Sequence, residues 1–297
     1  MSVLHLFGRT EVRRAGTIVL GERDFGGSKP RQIIEVLGTA HGEPRSKDQL
    51  IDQIWDGTPP AEATATLESY VSVLRRRLGP HRSAVVTTSG GYILDGDVLS
   101  VDLDQFVGLV SEASRADHPL EQLRQAVALA SQPVLASEPY ASWAVDARRH
   151  YTDRLVEALL RAGRLAMSEN LYDEAVSLGR QALTHDELRE DAWVLVIAGL
   201  QSQGLCMRAL RAYDDCRSIY RRELGVEPSD TLRRIQAALL SDGQVGCADI
   251  SILVRSLVDA VRRANDSNPH AARAVLSTLA DELGGLASPP VRVPVAS

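Results

Sequence analysis

The sequence predicts a mainly α-helical protein that begins with a smaller α+β segment. Strand-like patterns are confined to about the first third of the 297 residues, whereas apolar residues recur at helical spacing through most of the remainder. Hydrophobic residues make up 44% of the chain but Phe, Trp and Tyr only 4%, so the cores must be aliphatic. At about 150 residues per domain, the length favours two domains.

Composition and charge limit the possible function classes. The sequence has neither a run of about 18 apolar residues nor a basic leader followed by an apolar stretch, so we expect no membrane span and no secretory signal. Its three cysteines lie far apart and do not indicate a disulfide framework. These features predict a cytoplasmic protein. The net charge of −6 does not exclude a nucleic-acid partner, because the local field depends on where the cations lie.

The first elements are predicted to be a strand meander and a helix. Residues 3–21 alternate apolar and polar positions around glycine-containing turns, which is typical of short strands. From Ser28 the spacing changes to that of a helix, which we expect to end just before Gly42. A second helix begins at Ser46, where Ser46 and Gln49 form a capping box, and residues 56–60 end it.

A third helix is predicted over residues 61–78. Leu67, Val71, Leu74 and Leu78 lie on one face and make it apolar. The opposite face is small, polar or cationic: it holds Ala65, Ser69, Ser72, Val73 and Arg76, with Thr66, Arg75 and Arg77 toward its flanks. Two strand patterns, 84–88 and 92–94, then flank a glycine turn and predict a hairpin. This order of elements predicts a winged helix-turn-helix domain over residues 1–96.

Beyond Asp97 the strand signals vanish, and an all-α domain is predicted over residues 97–241. Helical patterns cover residues 106–116, 120–131, 143–167, 172–184, 187–203, 206–224 and 232–240. One set of apolar residues repeats after 34 positions: Ala175, Leu178 and Ala182 recur as Ala209, Ala212 and Cys216. Asn170 and Gly204, which tolerate left-handed turns, recur at the same interval. A 34-residue period is that of tetratricopeptide repeats.

A helical extension is predicted over residues 249–283, followed by a disordered tail over 284–297. The extension contains two apolar stripes separated by Asn268-Pro269, and an amphipathic helix must bury its stripe to be stable. Two interpretations stay open: the helices cap the preceding repeats, or they join two protomers. Repeat arrays need a polar outer cap, and the charged residues between the apolar positions favour the cap.

Three stretches together resemble the Streptomyces antibiotic regulatory protein (SARP) family. Residues 50–55 (LIDQIW), 66–79 (TLESYVSVLRRRLG) and 87–92 (TTSGGY) resemble its OmpR-type DNA-binding domain, the fold also used as the output of two-component phosphorelays. Residues 223–229 (ELGVEPS) resemble the end of its second module, the bacterial transcriptional activator domain. The resemblance covers about residues 4–241. Two positions depart from the family, since Ala65 stands where Asn is frequent and Thr88 where Arg is common, and both changes remove hydrogen-bonding capacity toward DNA.

The resemblance implies an activator of antibiotic-type metabolism that binds direct repeats near a promoter, at least as a homodimer on DNA, and recruits RNA polymerase. A recognition helix fits the major groove while neighbouring elements contact phosphate. The predicted DNA-binding residues lie on the third helix, at the start of the first helix and on the hairpin: Thr66, Ser69, Tyr70, Ser72, Val73, Arg75, Arg76, Arg77, Lys29, Arg31, Thr87 and Thr88. Tyr70 lies between core and exposed face, so it is either a core residue or a phosphate contact.

The sequence offers no motif for catalysis. It contains no H-E-x-x-H, no G-x-S-x-G and no paired C-x-x-C, so we expect no enzyme, no metal and no cofactor. The cysteines of the repeats are interpreted as small buried hydrophobes. A rival hypothesis is a repeat adaptor whose winged helix has become a protein contact, and a repressor is an alternative within the DNA-binding class. Steep salt dependence of duplex binding distinguishes a DNA-binding protein from an adaptor.

Overall fold

The computed structural model describes residues 1–241, so the predicted helical extension and tail lie outside the described residues. Residues 1–229 form one compact unit, and a second unit begins at residue 230. The strands are β1 (Ser2–His5), β2 (Glu11–Arg14), β3 (Thr17–Leu20), β4 (Arg45–Ser46), β5 (Val85–Thr87), β6 (Gly91–Leu94) and β7 (Ser100–Val101). The helices are α1 (Ser28–Gly38), α2 (Lys47–Trp55), α3 (Ala63–Leu78), α4 (Asp102–Glu112), α5 (Pro119–Leu129), α6 (Val145–Ser168), α7 (Tyr172–His185), α8 (Glu190–Ser202) and α9 (Cys206–Leu224). Residues 230–241 are also helical.

The N-terminal meander is part of a four-stranded sheet with the order β3-β2-β1-β7. The first three strands confirm the predicted meander. The expectation that no strand follows Asp97 is wrong, because β7 pairs in parallel with β1. Two residues are too few to give an alternating pattern, and their pairing depends on a strand almost a hundred positions earlier, so no local signal announces it.

Helices α1 to α3 pack as the apolar spacing predicts. The capping box at the start of α2 is present: the Ser46 hydroxyl accepts from the Gln49 backbone N–H, and the Gln49 side chain accepts from the Ser46 N–H. Helix α3 buries the four apolar residues of its predicted face, and Leu74 at its centre is fully buried. The helical phase of α3 is therefore confirmed, and with it the identity of the face that points away from the core.

The predicted hairpin is formed by β5 and β6, and it gains a third strand. Strand β4, just before α2, pairs with β6 so that Ser46 lies opposite Gly91. The backbones approach so closely there that a Cβ on Gly91 would lie 1.9 Å from the Arg45 carbonyl oxygen. This pairing ties the start of α2 to the hairpin.

Helices α6 to α9 stack in consecutive pairs, in agreement with the 34-residue period. All six repeating apolar residues are buried, namely Ala175, Leu178, Ala182, Ala209, Ala212 and Cys216. Asn170 and Gly204 both adopt left-handed backbone conformations, with φ of 61° and 74°. The repeat is therefore structural: equivalent turns return the chain, and equivalent apolar residues are buried between the helices. Burial raises the pKa of the Cys216 thiol to about 12.

Elements on both sides of the predicted boundary at 96/97 share one core. Asp102 at the start of α4 is fully buried, and its carboxylate accepts from the backbone N–H groups of Leu6 and Phe7 at 2.9–3.0 Å. The segment between α5 and α6 also lies along the residues that follow β1, where Leu135 N donates to Leu6 O at 2.7 Å. The boundary itself stays a prediction. Among the described helices, none is long and apolar enough to cross a membrane.

Candidate nucleic-acid interface

The exposed face of α3 carries short and mostly polar side chains along its middle. Ala65, Ser69 and Ser72 are exposed, and their short side chains leave room for another molecule to approach the helix backbone. Arg76 follows on the same face in the last turn and is also exposed. Within residues 1–241, no protein group pairs with the Arg76 guanidinium. This face therefore combines a shallow approach surface with a free cation.

Arg75 lies on one flank of that face and is engaged by the hairpin. Its guanidinium donates to the Val85 carbonyl oxygen through Nε (2.9 Å) and Nη2 (2.7 Å), and to Thr87 Oγ1 at 2.8 Å. The guanidinium also lies over the Tyr92 ring, 5.8 Å from its centre. Arg75 thus fixes the angle between α3 and the hairpin. The sequence prediction, in which Arg75 contacts bases or phosphates of DNA, did not include this role.

The hairpin tip carries the two predicted threonines. Thr87 is exposed at the end of β5, and its hydroxyl accepts from Arg75. Thr88 is half-buried, and its backbone N–H donates to Gly91 O at 3.0 Å, which closes the turn. Both residues lie on the Arg75 flank of α3, so the structure brings the hairpin and the helix together at one surface.

The opposite flank of α3 is built around an aromatic stack. The Tyr70 ring stacks on Trp55 at the end of α2, with ring centres 6.1 Å apart and an interplanar angle of 26°. Lys29 lies over the Trp55 ring at 5.7 Å and donates to the Ile54 carbonyl oxygen. Lys29 and Tyr70 thus share one surface, which Trp55 creates. Tyr70 is half-buried and packs against the core, while its phosphate contact stays a prediction.

The remaining predicted α3 residues on this flank are in contact with other parts of the protein. Val73 is half-buried because Gly26 packs directly against it. The contact is so close that a Cβ on Gly26 would lie 2.6 Å from Val73 Cγ1. The Thr66 hydroxyl donates to the Glu62 carbonyl oxygen at 2.9 Å. Arg77 is exposed, and its side-chain stem passes beside Gly26. The loop before α1 therefore covers Val73, which helical phase alone places among the exposed positions.

Arg31 lies apart from the other predicted residues. Its guanidinium is within ion-pair distance of Glu22 (3.1 Å), Glu35 (3.2 Å) and Glu138 (2.5 Å), and its side chain is only 14% exposed. Glu35 is fully buried, and burial raises its pKa to about 7. The prediction that Arg31 is available for phosphate is corrected by these contacts, because three carboxylates from the protein surround it.

Sequence reasoning missed a group of charged residues at the start of α2. Lys47 is held between the hairpin and α3: its backbone N–H donates to Gly90 O at 3.1 Å, and its ammonium pairs with Glu68 at 2.5 Å. The hydrogen bond to Glu68 raises the pKa of Lys47. Arg45 lies in β4, where no protein group within residues 1–241 pairs with its guanidinium. The capping box marked where α2 begins, but only the β4–β6 pairing shows that it lies beside the hairpin.

The interface contains no cluster that suggests a metal centre. In the described part of the chain, no three residues among His, Cys, Asp and Glu are grouped so that they could hold an ion. Cations, short polar side chains and backbone near a hairpin are the groups with which proteins contact the phosphates and base edges of DNA. The arrangement is therefore suited to a duplex.

Comparison with known families and proteins agrees with a surface that is suited to DNA. Residues 26–94 match the family described as the C-terminal domain of transcriptional regulatory proteins, and residues 101–240 match the bacterial transcriptional activator domain. The first match contains α1 to α3 and the hairpin, and the second contains α4 to α9.

Several curated proteins are similar over most of the chain. Regulatory protein DnrI of Streptomyces peucetius is 30% identical over 236 residues, which are 71% of this chain and 84% of DnrI. Transcriptional regulator RedD of Streptomyces coelicolor is 28% identical, over 82% of this chain and 74% of RedD. Regulatory protein AfsR of the same species is 29% identical over 72% of this chain but only 22% of its own length.

A solved structure shows the same architecture. Mycobacterium tuberculosis EmbR, in complex with a low-affinity phosphopeptide, superposes with a TM-score of 0.69 at 22% identity, over 87% of this chain and 71% of that one. This likeness concerns the fold alone.

Proposed function

Because this chain belongs to the Streptomyces antibiotic regulatory protein family of transcriptional regulators, we propose that it binds direct repeats near promoters of specialised metabolism genes and activates their transcription. In this proposal two protomers occupy adjacent half-sites, the helical repeats contact RNA polymerase, and the protein acts in the cytoplasm. It is a regulator and not an enzyme.

The observation that carries the proposal is the surface around α3. A shallow face of short polar side chains ends in the guanidinium of Arg76, which no group in the described part of the chain pairs with, and the hairpin fixed by Arg75 borders it. A helix of this profile fits the major groove of B-form DNA, and the hairpin and Lys29 reach toward the phosphates on either side. The predicted residues Ser69, Ser72, Arg76 and Thr87 form the centre of the proposed interface.

The proposal is tested by titrating the full chain against a duplex with the direct repeat and against the same duplex with one half-site scrambled. We expect the affinity to fall steeply as salt rises, because each neutralised phosphate releases counterions, with a slope of about 0.9 per phosphate contacted. Scrambling one half-site should weaken binding and change the stoichiometry from two protomers to one. An operator is first obtained by chromatin immunoprecipitation with footprinting.

The rival hypothesis, an adaptor whose winged helix binds protein, predicts a different result. An adaptor shows no measurable duplex affinity even at low salt, whereas non-specific binding alone would show salt dependence without a preference for the repeat. Either result would contradict the proposed function. A reporter fused to the footprinted promoter separates an activator from a repressor, since deletion of the gene lowers expression only in the first case.

A further inference from the structure

We propose that Glu68 reads a base within the operator, by accepting a hydrogen bond from the exocyclic amino group of a cytosine in the major groove. The inference rests on the proposed function, and it assigns to the recognition helix a specificity-determining residue with a defined base preference.

That half of α3 is lined with short side chains. Around Glu68 the exposed positions are occupied by Ala65, Ser69 and Ser72, none of which extends far beyond the helix surface. Recognition helices insert their N-terminal residues between the groove walls, so the side chains there meet base edges. Glu68 is 51% exposed and is the long side chain among these short neighbours.

A carboxylate near the phosphates of DNA is unfavourable unless it accepts a hydrogen bond. The major-groove donors of the bases are the amino groups of cytosine and adenine, and Asp or Glu pairs characteristically with cytosine N4. The negative charge of Glu68 thus disfavours bases that present only acceptors there, such as guanine. A carboxylate at this point selects among bases by exclusion as well as by attraction.

Lys47 makes the position of Glu68 compatible with DNA binding. Its ammonium pairs with Glu68, while its backbone N–H is bonded to the hairpin at Gly90 O. The ammonium offsets the charge of the carboxylate, which lies on the flank of α3 that faces the hairpin. When a base amino group takes over one carboxylate oxygen, the ammonium remains close enough to turn to a phosphate, as a flexible lysine does.

The test is selection of binding sites from a pool of randomised duplexes with the full chain and two variants at this position. Glu68→Ala should lose the cytosine preference at one base-pair position, with about a tenfold fall in discrimination there and none elsewhere. Glu68→Gln keeps the side-chain length and should move the preference at that position to adenine, because Gln pairs with adenine.

Two controls separate base reading from charge. Glu62→Ala removes a carboxylate from the start of the same helix and should leave every base preference unchanged. Lys47→Met should weaken binding to all sequences alike and lower the salt slope by about one, while the cytosine preference persists.

The assignment would be overturned if the wild type, Glu68→Ala and Glu68→Gln showed identical base preferences. This holds also if the variants bind all sequences more tightly because a negative charge has been removed. If the wild type itself selects no sequence, the proposed function fails and this inference fails with it. Selection by the wild type without change in the variants refutes the role of Glu68 alone.

Discussion

Three consecutive arginines at the end of α3 have different surroundings and therefore different expected roles. Arg75 is bonded to the hairpin and Arg77 passes beside Gly26. Arg76 lies on the exposed face and has no protein partner among the described residues. A guanidinium already satisfied by two protein acceptors has less to gain from DNA than one that is bound only to water. At the scale of single residues, the contacts of a cation therefore decide its contribution more than its charge does.

We predict that Arg76→Ala weakens operator binding by about 1–3 kcal/mol without changing the melting temperature, since it removes one charge-assisted contact and no internal bond. Arg75→Ala should lower both affinity and melting temperature, because the hairpin loses its link to α3. Gel-shift titration and thermal melting of both variants measure this difference. Arg180→Ala, at an exposed position of α7, is the matched control and should leave both quantities unchanged. Equal loss of stability in both variants would contradict the division of roles.

A second residue-scale prediction concerns Glu35, the buried carboxylate beside Arg31. Its pKa is about 7 in the folded chain, mainly through burial and against the opposing effects of Thr10 and Arg31, whereas its ordinary value is 4.5. The folded state holds the proton more tightly than the unfolded state, so this group favours folding fully below about pH 4.5 and loses that contribution as the pH rises through 7. Within residues 1–241, Glu35 Oε2 has no hydrogen-bond partner.

Glu35→Gln keeps the shape and removes the titration. We expect the melting temperature of the variant to rise relative to that of the wild type as the pH is raised from 5 to 8, because only the wild type loses the contribution of Glu35. Thermal melts across this range measure the difference between the two proteins. Glu43→Gln, at an exposed position after α1, serves as a control whose difference should stay flat. A pH-independent difference for Glu35→Gln would show that its pKa is not raised.

At the scale of elements, one close backbone contact, between β4 and β6, fixes the position of the hairpin. Strand β6 passes so near to β4 that Gly91 has no space for a Cβ, whereas Gly90, one residue earlier, has no atom within 4 Å of that position. The obstruction at Gly91 is backbone, the Arg45 carbonyl, and cannot move aside as a side-chain end would. Two adjacent glycines thus have opposite tolerance to substitution.

We therefore predict that Gly91→Ala separates β4 from β6 and destabilises the protein by about 1–3 kcal/mol or more, while Gly90→Ala is nearly neutral. Because β4 precedes α2 directly, the first variant should also weaken DNA binding, through a displaced hairpin and a displaced Lys47. Chemical denaturation and gel-shift titration of the two variants provide the comparison. Similar behaviour of the two alanine variants would show that the strands are not in contact as described.

At the scale of the whole molecule, the winged helix depends on residues that follow it. Buried Asp102 accepts from two backbone N–H groups of the segment after β1, and Arg31 pairs with Glu138. Strand β7 completes the sheet that begins at the N-terminus. Buried donors without partners are costly, so these contacts couple the stability of residues 1–96 to the helices beyond.

We predict that an isolated fragment 1–96 melts well below the full chain, with a loss of at least about 1–3 kcal/mol for each backbone donor left unsatisfied in a buried site. A fragment extended to residue 112 restores β7, Asp102 and α4 and should recover part of this loss. Differential scanning calorimetry of the three proteins gives the comparison. If fragment 1–96 melts as the full chain does, the winged helix is independent and the shared core adds nothing to its stability.

The sequence by itself determined the elements whose signals are local. The period of the apolar residues identified α3 and its exposed face, the spacing of Ser46 and Gln49 identified the start of α2, and the 34-residue repeat of apolar residues identified the stacked helices. Each of these patterns lies within one helix or between neighbouring repeats, where the geometry of a helix fixes which side chains share a face. The SARP resemblance rested on such stretches and is confirmed by the relatives.

Only the tertiary structure decided which of the exposed groups are free. Helical phase places Val73 and Arg75 at the surface, but a loop covers the first and the hairpin binds the second. Arg31 meets a carboxylate from a segment more than a hundred residues away, and β7 pairs with β1 across a similar distance. The physical reason is the same in each case: a side chain's availability depends on what packs against it, and the partners come from chain segments whose separation in sequence carries no signal of their contact.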